Sequence, residues 1–230
     1  MRNIIEEKPS DELRGRLLFT INFVEKSDIR DKNILDIGCG FGWFVFNAEK
    51  IGAKTITAVE ITEKDLETVR KYINNERIKF QTASALFLPF EGGVFDTVAS
   101  WEVIEHIPKN SEEQMFKEVY RVLKNGGLFY LSSPYDNFFS KIFDPAWWLI
   151  KHRHYTGKQM IFFGEKNGFK AEKIEVKGGW WEIIAMLNLY FAKWIFRRKP
   201  FFSQFIYKKL DAEFEKENGF THLFIKFRKI

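Results

Sequence analysis

Leu35-Asp36-Ile37-Gly38-Cys39-Gly40-Phe41-Gly42 runs from an apolar strand pattern directly into three glycines at alternate positions. A strand that ends in close-set glycines before a helix lets a ligand approach the backbone and meet the free amides of the helix start, at the carboxyl end of a sheet. The Gly-x-Gly-x-Gly spacing omits the last glycine of the dinucleotide fingerprint, and Asp36 sets a carboxylate where a pyrophosphate would be repelled. An acid at that place suits a cationic group. About 20 residues on, Glu60 closes the next strand pattern, where a carboxylate can accept hydrogen bonds from ribose hydroxyls. Together the two acids and the glycine turn read as a site for a nucleoside bearing a positive charge.

Working outward, residues 11–26 space Leu13, Leu17, Leu18, Ile21 and Val24 at helical intervals behind Ser10 and Asp11, which are placed to cap the first amides. Downstream, strand patterns at 33–38, 55–60, 78–81, 95–101 and 128–132 alternate with helical ones at 41–50, 63–75 and 112–123. Such alternation predicts right-handed crossovers and a doubly wound, largely parallel α/β sheet. Past Pro134 the pattern loosens. Residues 134–155 read as an aromatic loop or short helices, 157–167 as a helix and 169–176 as a strand. Residues 180–196 are apolar nearly all round, Arg197-Arg198-Lys199-Pro200 follows, and 201–218 is again helical. The final 221–229 alternates like a strand that pairs with 169–176 as an antiparallel edge.

At 230 residues with 45% hydrophobic and 29% charged side chains, the composition is that of a globular chain and excludes wholesale disorder. Aromatic residues make up 17%, more than a core needs. The one cysteine, Cys39, forbids an intramolecular disulfide and fits a reducing compartment. No apolar run follows the basic start at the amino terminus, so a cytoplasmic location is expected. The net charge of +5 hides a split: residues 151–230 hold 17 Lys and Arg against eight Asp and Glu, which leaves residues 1–150 net negative. A basic, aromatic-rich segment can meet an anionic membrane surface, nucleic acid or an acidic substrate, or serve as a solvated face.

The stretches ILDIGCGFGWF (34–44), AVEIT (58–62), ASALFLPFEGGVFDTVASWEVIEHI (83–107) and LKNGGLFYLSSP (123–134), in this order and spacing, resemble the S-adenosylmethionine-dependent methyltransferases with a Rossmann-like fold. Within these they are similar to the small-molecule branch that includes the ubiquinone and menaquinone biosynthesis methylases. The resemblance covers roughly residues 30–135 and implies a seven-stranded sheet with an antiparallel last strand. It implies one methyltransferase domain over 1–230, with a cofactor-binding core at 30–135, an acceptor-side region at 136–160 and a helical aromatic insertion or lid at 178–219. Position by position, it places Asp36, Gly38, Cys39 and Gly40 against the amino-acid end of the cofactor, Glu60 on the ribose, Ile61 on the adenine, and Trp101 beside the methionine portion. Ser84-Ala85 stands where such families usually carry Asp-Ala against the adenine amine. Serine can still hydrogen-bond, but a charge-assisted bond is lost.

The implied reaction is in-line displacement at the sulfonium methyl, which turns S-adenosylmethionine into S-adenosylhomocysteine and asks the protein mainly to position the acceptor and exclude water. No metal is required, and four scattered histidines with one cysteine give no zinc spacing. A hydroxyl acceptor benefits from a general base, and histidine suits neutral pH. His106, just past the fourth strand, and His154, in the aromatic region, are the two candidates; Tyr135, Asp136 and Tyr155 are candidates for lining the acceptor pocket. Cys39 among the glycines reads as a small packing residue. Asp96 reads as structural at its strand start.

Residues 180–196 fall short of the ~20 needed to span a bilayer and contain Glu182, Asn188 and Lys193. Their tryptophans and phenylalanines beside Arg197-Arg198-Lys199 fit a surface resting on anionic lipid or receiving a lipid-linked acceptor, or a lid or homodimer helix buried against the domain. The expected function is methyl transfer to a small-molecule acceptor, at an oxygen of an aromatic, lipid-like or lipid-linked compound. Two other readings compete: a non-catalytic cofactor-binding module that docks a partner, and a protein or RNA methyltransferase. The aromatics and charges form no recognised RNA module, so nucleic acid is not the expected partner.

Overall fold

The computed structural model describes residues 8–230; the amino-terminal stretch read above for a leader lies largely outside them. Five parallel strands come first: β1 (Asn33–Ile37), β2 (Thr55–Glu60), β3 (Ile78–Thr82), β4 (Phe95–Trp101) and β5 (Leu123–Pro134), with β6 (Phe169–Lys177) and β7 (His222–Lys229) completing the sheet in the order β3-β2-β1-β4-β5-β7-β6. β7 runs antiparallel to both neighbours. The expected pairing of 221–229 with 169–176 is present, but β7 lies inside the sheet and β6 forms the edge. A run of adjacent apolar residues explains why: Leu223, Phe224, Ile225 and Phe227 are all buried, which requires cover on both faces, whereas β6 exposes Lys170 and Lys173 on a strand with one partner.

Helices α1 (Gly15–Phe23), α2 (Trp43–Ile51) and α3 (Glu63–Arg70) cover one face, and α4 (Glu112–Val122) the other. The strands feed both cores: Ile34 joins the α1–α3 side and Leu35 the α4 side. Between β5 and β6 lie α5 (Phe138–Phe143), α6 (Pro145–Ile150) and α7 (Gly157–Lys166), so the 134–155 region folds as two short helices, capped by Asn137 and Asp144. Between β6 and β7 lie α8 (Trp180–Tyr190), a single π turn over Phe191–Ile195, and α9 (Ser203–Phe214), which packs on α1 and α8.

Three helices are shorter than expected: α9, read over 201–218, spans Ser203–Phe214, and α1 and α3 are shorter as well. Ser10 accepts from the Glu12 amide and Asp11 pairs with Lys50, so neither caps α1, which starts at Gly15 under the carboxylate of Asp211. α3 stops at Arg70, where Tyr72 and Ile73 close a turn on the Val69 carbonyl.

Much of the aromatic excess is core. Phe116 on α4 meets Phe129, Phe169 and Phe227 edge-on, with ring centroids 5.5, 6.1 and 5.7 Å away. Truncating it leaves a cavity that rigid neighbours cannot fill, so Phe116→Ala is expected to lower the unfolding free energy by about 3–5 kcal/mol, read as a reduced guanidinium midpoint.

Candidate functional site

The site grows from the junction of β1 and β2. The amides of Gly38 and Cys39 donate to the Val59 carbonyl at 2.9 and 3.1 Å, which ties the two strand ends together and sets Asp36 and Glu60 along one crest. Gly38 has φ +73°, and a Cβ there would stand 2.4 Å from Val103 Cγ2, so only glycine lets the turn pass beneath that side chain. Glu60 is held by two amides: Gly40 donates to Oε1 at 2.7 Å and Ile61 to Oε2 at 3.1 Å.

Asp36, by contrast, is buried, and neither of its oxygens has a hydrogen-bond partner among the described residues. Burial first, and the negative Glu60 second, push its pKa up to about 8. Burial and the neighbouring Asp36 likewise raise the Cys39 thiol, which leaves it protonated and poorly nucleophilic.

A cavity of about 770 Å³ opens at this crest. Asp36, Gly38, Cys39, Gly40, Glu60, Ile61, Ser84, Ala85, Trp101 and His106 all line it. Ile61 is exposed at the rim, 66% accessible, with an apolar side chain free to meet a flat ring. The Ser84 hydroxyl accepts from the Leu86 amide at 3.2 Å, so it is partly committed to its own turn. The Trp101 ring packs on Phe44 at 5.6 Å, and its indole N–H is buried without a partner among the described residues. Asp96 lies apart, holding the Asn33 amide and Lys124.

A second cavity, of about 610 Å³, lies between the helices of the 178–219 insertion and the sheet, and shares Arg16, Leu17 and Glu102 with the first. Its other walls include Ile183, Met186, Leu189, Ile206 and Leu210. At the shared wall Glu102 adopts φ +56°, a costly conformation for a non-glycine residue. Its Oε1 accepts from Ser132 Oγ at 2.6 Å, its Oε2 lies 2.6 Å from Arg16 Nη1, and His222 Nδ1 faces Oε2 at 2.9 Å as an ion pair off the hydrogen-bond axis. His222 Nε2 pairs in turn with Glu182 Oε1 of α8 at 3.1 Å.

Burial works against charge on His222, but Glu182 and Glu102 outweigh it and push its pKa up to about 10. Burial likewise opposes ionisation of Glu102, yet His222 and Arg16 hold its carboxyl well below the usual range. At neutral pH this wall therefore carries fixed charges of both signs.

The histidines that look scattered in the sequence are gathered in space. His106 Nε2 lies 3.3 Å from His152 Nε2, while His152 Nδ1 and His154 Nε2 lie 2.9 and 3.0 Å from the same Asp144 oxygen. Glu105, His106 and His152, and likewise Asp144, His152 and His154, bring ligand-type atoms within 4.8 Å of one another, a donor set with the chemistry to take a divalent cation. Burial, then His152, lower the pKa of His106, keeping it neutral near pH 7.

His154 lines the second cavity, with Asp144 and His152, and not the first. Its ring is engaged by Asp144 on one nitrogen and by Ser140 Oγ and the Tyr135 carbonyl on the other. Tyr155 donates to Glu112 at 2.9 Å, Asp136 pairs with Lys141, and neither these two nor Tyr135 lines either of the two adjoining cavities. Sequence reading missed Arg16, Glu102, Asp144, His152 and His222. Glu102 lay within the quoted WEVIEH stretch, but nothing in the chain announced its pairing with a histidine 120 residues away.

Residues 35–131 match a family model described as a methyltransferase domain. Over 102 residues the chain is 33% identical to the methyltransferase GfsG of Streptomyces halstedii, which covers 41% of this chain and 34% of that protein. Over 106 residues it is 35% identical to a tRNA U34 carboxymethyltransferase of Actinobacillus succinogenes, covering 43% of this chain and 31% of that protein. The aligned segment thus spans about a third of the length of these curated relatives. The fold is similar to that of an S-adenosylmethionine dependent methyltransferase from Mesorhizobium loti, with a TM-score of 0.63 and 18% identity over 91% of this chain and 95% of that one.

The Asp36 carboxyl titrates higher folded than unfolded, so the folded protein holds the extra proton. That contribution is fully stabilising below the unfolded value near 3.8 and is lost as pH rises towards 8. Asp36→Asn is expected to lose less stability than the parent between about pH 4 and pH 8, measured by urea midpoints across that window.

Proposed function

We propose that the protein is an S-adenosylmethionine-dependent methyltransferase that transfers a methyl group to an oxygen of a small-molecule acceptor that is aromatic, lipid-like or lipid-linked, a reading supported by the match of residues 35–131 to a methyltransferase family model and by the fold. One observation carries the cofactor side of this reading: a buried carboxylate, Asp36, whose two oxygens lack protein partners, beside a turn where Gly40 at φ +50° leaves open space in place of a side chain. That cradle fits a cationic amino-acid end. Glu60 is placed for the ribose hydroxyls, Ile61 for one face of the adenine, and Ser84-Ala85 for its edge. A cofactor held by these residues would supply an electrophilic methyl on a positive sulfur, the sulfur–carbon bond breaking as the acceptor oxygen bonds to that carbon, with the thioether of S-adenosylhomocysteine as leaving group.

The second cavity is the acceptor site in this reading. Its apolar walls suit an aromatic or chain-like body, and its shared wall with the cofactor cavity, formed by Arg16, Leu17 and Glu102, is where a polar head would cross. His106 is the general base. Because His152 Nδ1 donates to Asp144, its Nε2 is an acceptor, so His106 Nε2–H donates to it and leaves His106 Nδ1 basic. The acceptor proton passes to that nitrogen as the oxygen bonds to the methyl carbon. His154, with both ring nitrogens engaged, is a positioning residue that orients Asp144.

Calorimetric titration with S-adenosylhomocysteine is expected to give binding that Glu60→Ala weakens by about 10- to 100-fold, the loss of charge-assisted hydrogen bonds, with no binding of NAD. A wild-type chain that ignores S-adenosylhomocysteine would sink the reading. With methyl-labelled cofactor and a membrane lipid extract as acceptor source, His106→Ala is expected to reduce labelling by about 10²- to 10⁴-fold while keeping cofactor affinity.

A further inference from the structure

On segments that contribute to the lining of the second cavity the chain holds large apolar side chains in solvent. Trp148, Leu149 and Ile150 are exposed on α6, Phe191, Trp194 and Ile195 on the π turn, and Phe196 and Phe202 just beyond it, with Phe202 82% accessible. Ala146 of α6, Trp194 of the π turn and Pro200 all line the same cavity, so these segments flank one opening. Scattered exposed apolar residues need no account; a rim of them around a cavity does. Nor is the rim loosely held. Asn188 pins the turn by donating to the Phe201 carbonyl at 2.7 Å and accepting from its amide at 3.1 Å, and Arg197 and Phe202 are both fixed at φ +48°.

Charge selects the partner. Between Glu182 and Asp211 the sequence has no Asp or Glu, and it has Lys193, Arg197, Arg198, Lys199, Lys208 and Lys209. A second copy of this chain would bring two basic faces together, which is repulsive, whereas a surface of anionic headgroups over hydrocarbon matches both the charge and the apolar rim. Among the described residues no helix is long and apolar enough to cross a membrane. Attachment by this face is therefore interfacial.

We propose that this face docks on an anionic bilayer, with Leu149, Trp148, Trp194 and Ile195 entering the interface and Arg197, Arg198 and Lys199 at the phosphate level. The second cavity then opens onto the membrane, and its acceptor is a membrane amphiphile: an apolar body with a hydroxyl head that enters from the bilayer without crossing water. This rests on the reading of that cavity as the acceptor site.

Flotation of the full chain with phosphatidylcholine vesicles, with and without phosphatidylserine, tests the docking. The chain is expected to float with the phosphatidylserine vesicles and to be released by salt, because the headgroup attraction is screened. Leu149→Glu combined with Ile195→Glu is expected to reduce the floated fraction by about tenfold or more, since two apolar anchors are lost and two like charges face the lipid. The same variant should bind S-adenosylhomocysteine as the parent does, which separates a lost surface from a misfolded chain. A parent chain that binds S-adenosylhomocysteine but floats with neither vesicle overturns the docking and leaves the methyltransferase reading standing. A double variant that floats like the parent, with only its oligomeric state changed in light scattering, overturns it in favour of a dimer face.

Discussion

Asp36 is the constraint around which the rest of the site is arranged. A carboxylate buried at the end of β1 with no hydrogen-bond partner among the described residues is costly, and the nearby Glu60 makes it costlier. No contact among the described residues offsets that cost. The glycine turn opens the backbone beside it, the Val59 carbonyl draws β1 and β2 together, and the strand order reverses between β1 and β4, where doubly wound sheets leave a crevice. Each of these features has an account in terms of a ligand that brings positive charge, which is the reading proposed above for this cavity.

The second organising element is the wall between the two cavities. Glu102 comes from the end of β4, Arg16 from α1, His222 from the start of β7 and Glu182 from α8, so four separate segments meet in one chain of ion pairs. Breaking such a buried network by removing one partner leaves an uncompensated charge, so its members stand or fall together. The left-handed backbone at Glu102 is tolerated because Ser132, Arg16 and His222 all hold its side chain. α8 is thereby tied electrostatically to the rim of the first cavity.

How far the sequence disclosed this depends on how local each signal was. The parallel strands and the residues of the glycine turn were legible because strand alternation, glycine spacing and the Asp36–Glu60 separation are properties of short stretches. The placement of β7 between β5 and β6 was not, because residues 221–229 read as an alternating edge strand and nothing local names the neighbours on its two sides. Ser10 and Asp11 looked like caps on residue type alone, yet Asp211 supplies that role at Gly15 from the far end of the chain. The clustering of the histidines was not legible for the same reason. His106, His152 and His154 sit on segments that approach only after α5 and α6 have folded back over the loop that follows β4, and no spacing rule captures that. His154 was attractive for its aromatic surroundings; Asp144 and Ser140, which occupy its nitrogens, lie in a stretch that the sequence left irregular.

The position of β7 has a consequence for how the chain acquires its structure. β6 joins the sheet only through β7, which is made later, so on the ribosome β6 and the two helices after it emerge before any partner strand exists for them. Until His222–Lys229 slots between β5 and β6, β5 presents an open hydrogen-bonding edge and the apolar rings of Phe129 and Phe169 lack their cover from Phe227. Closing the sheet therefore waits on a long-range pairing late in synthesis, a slow kind of step that leaves a sticky intermediate in its path.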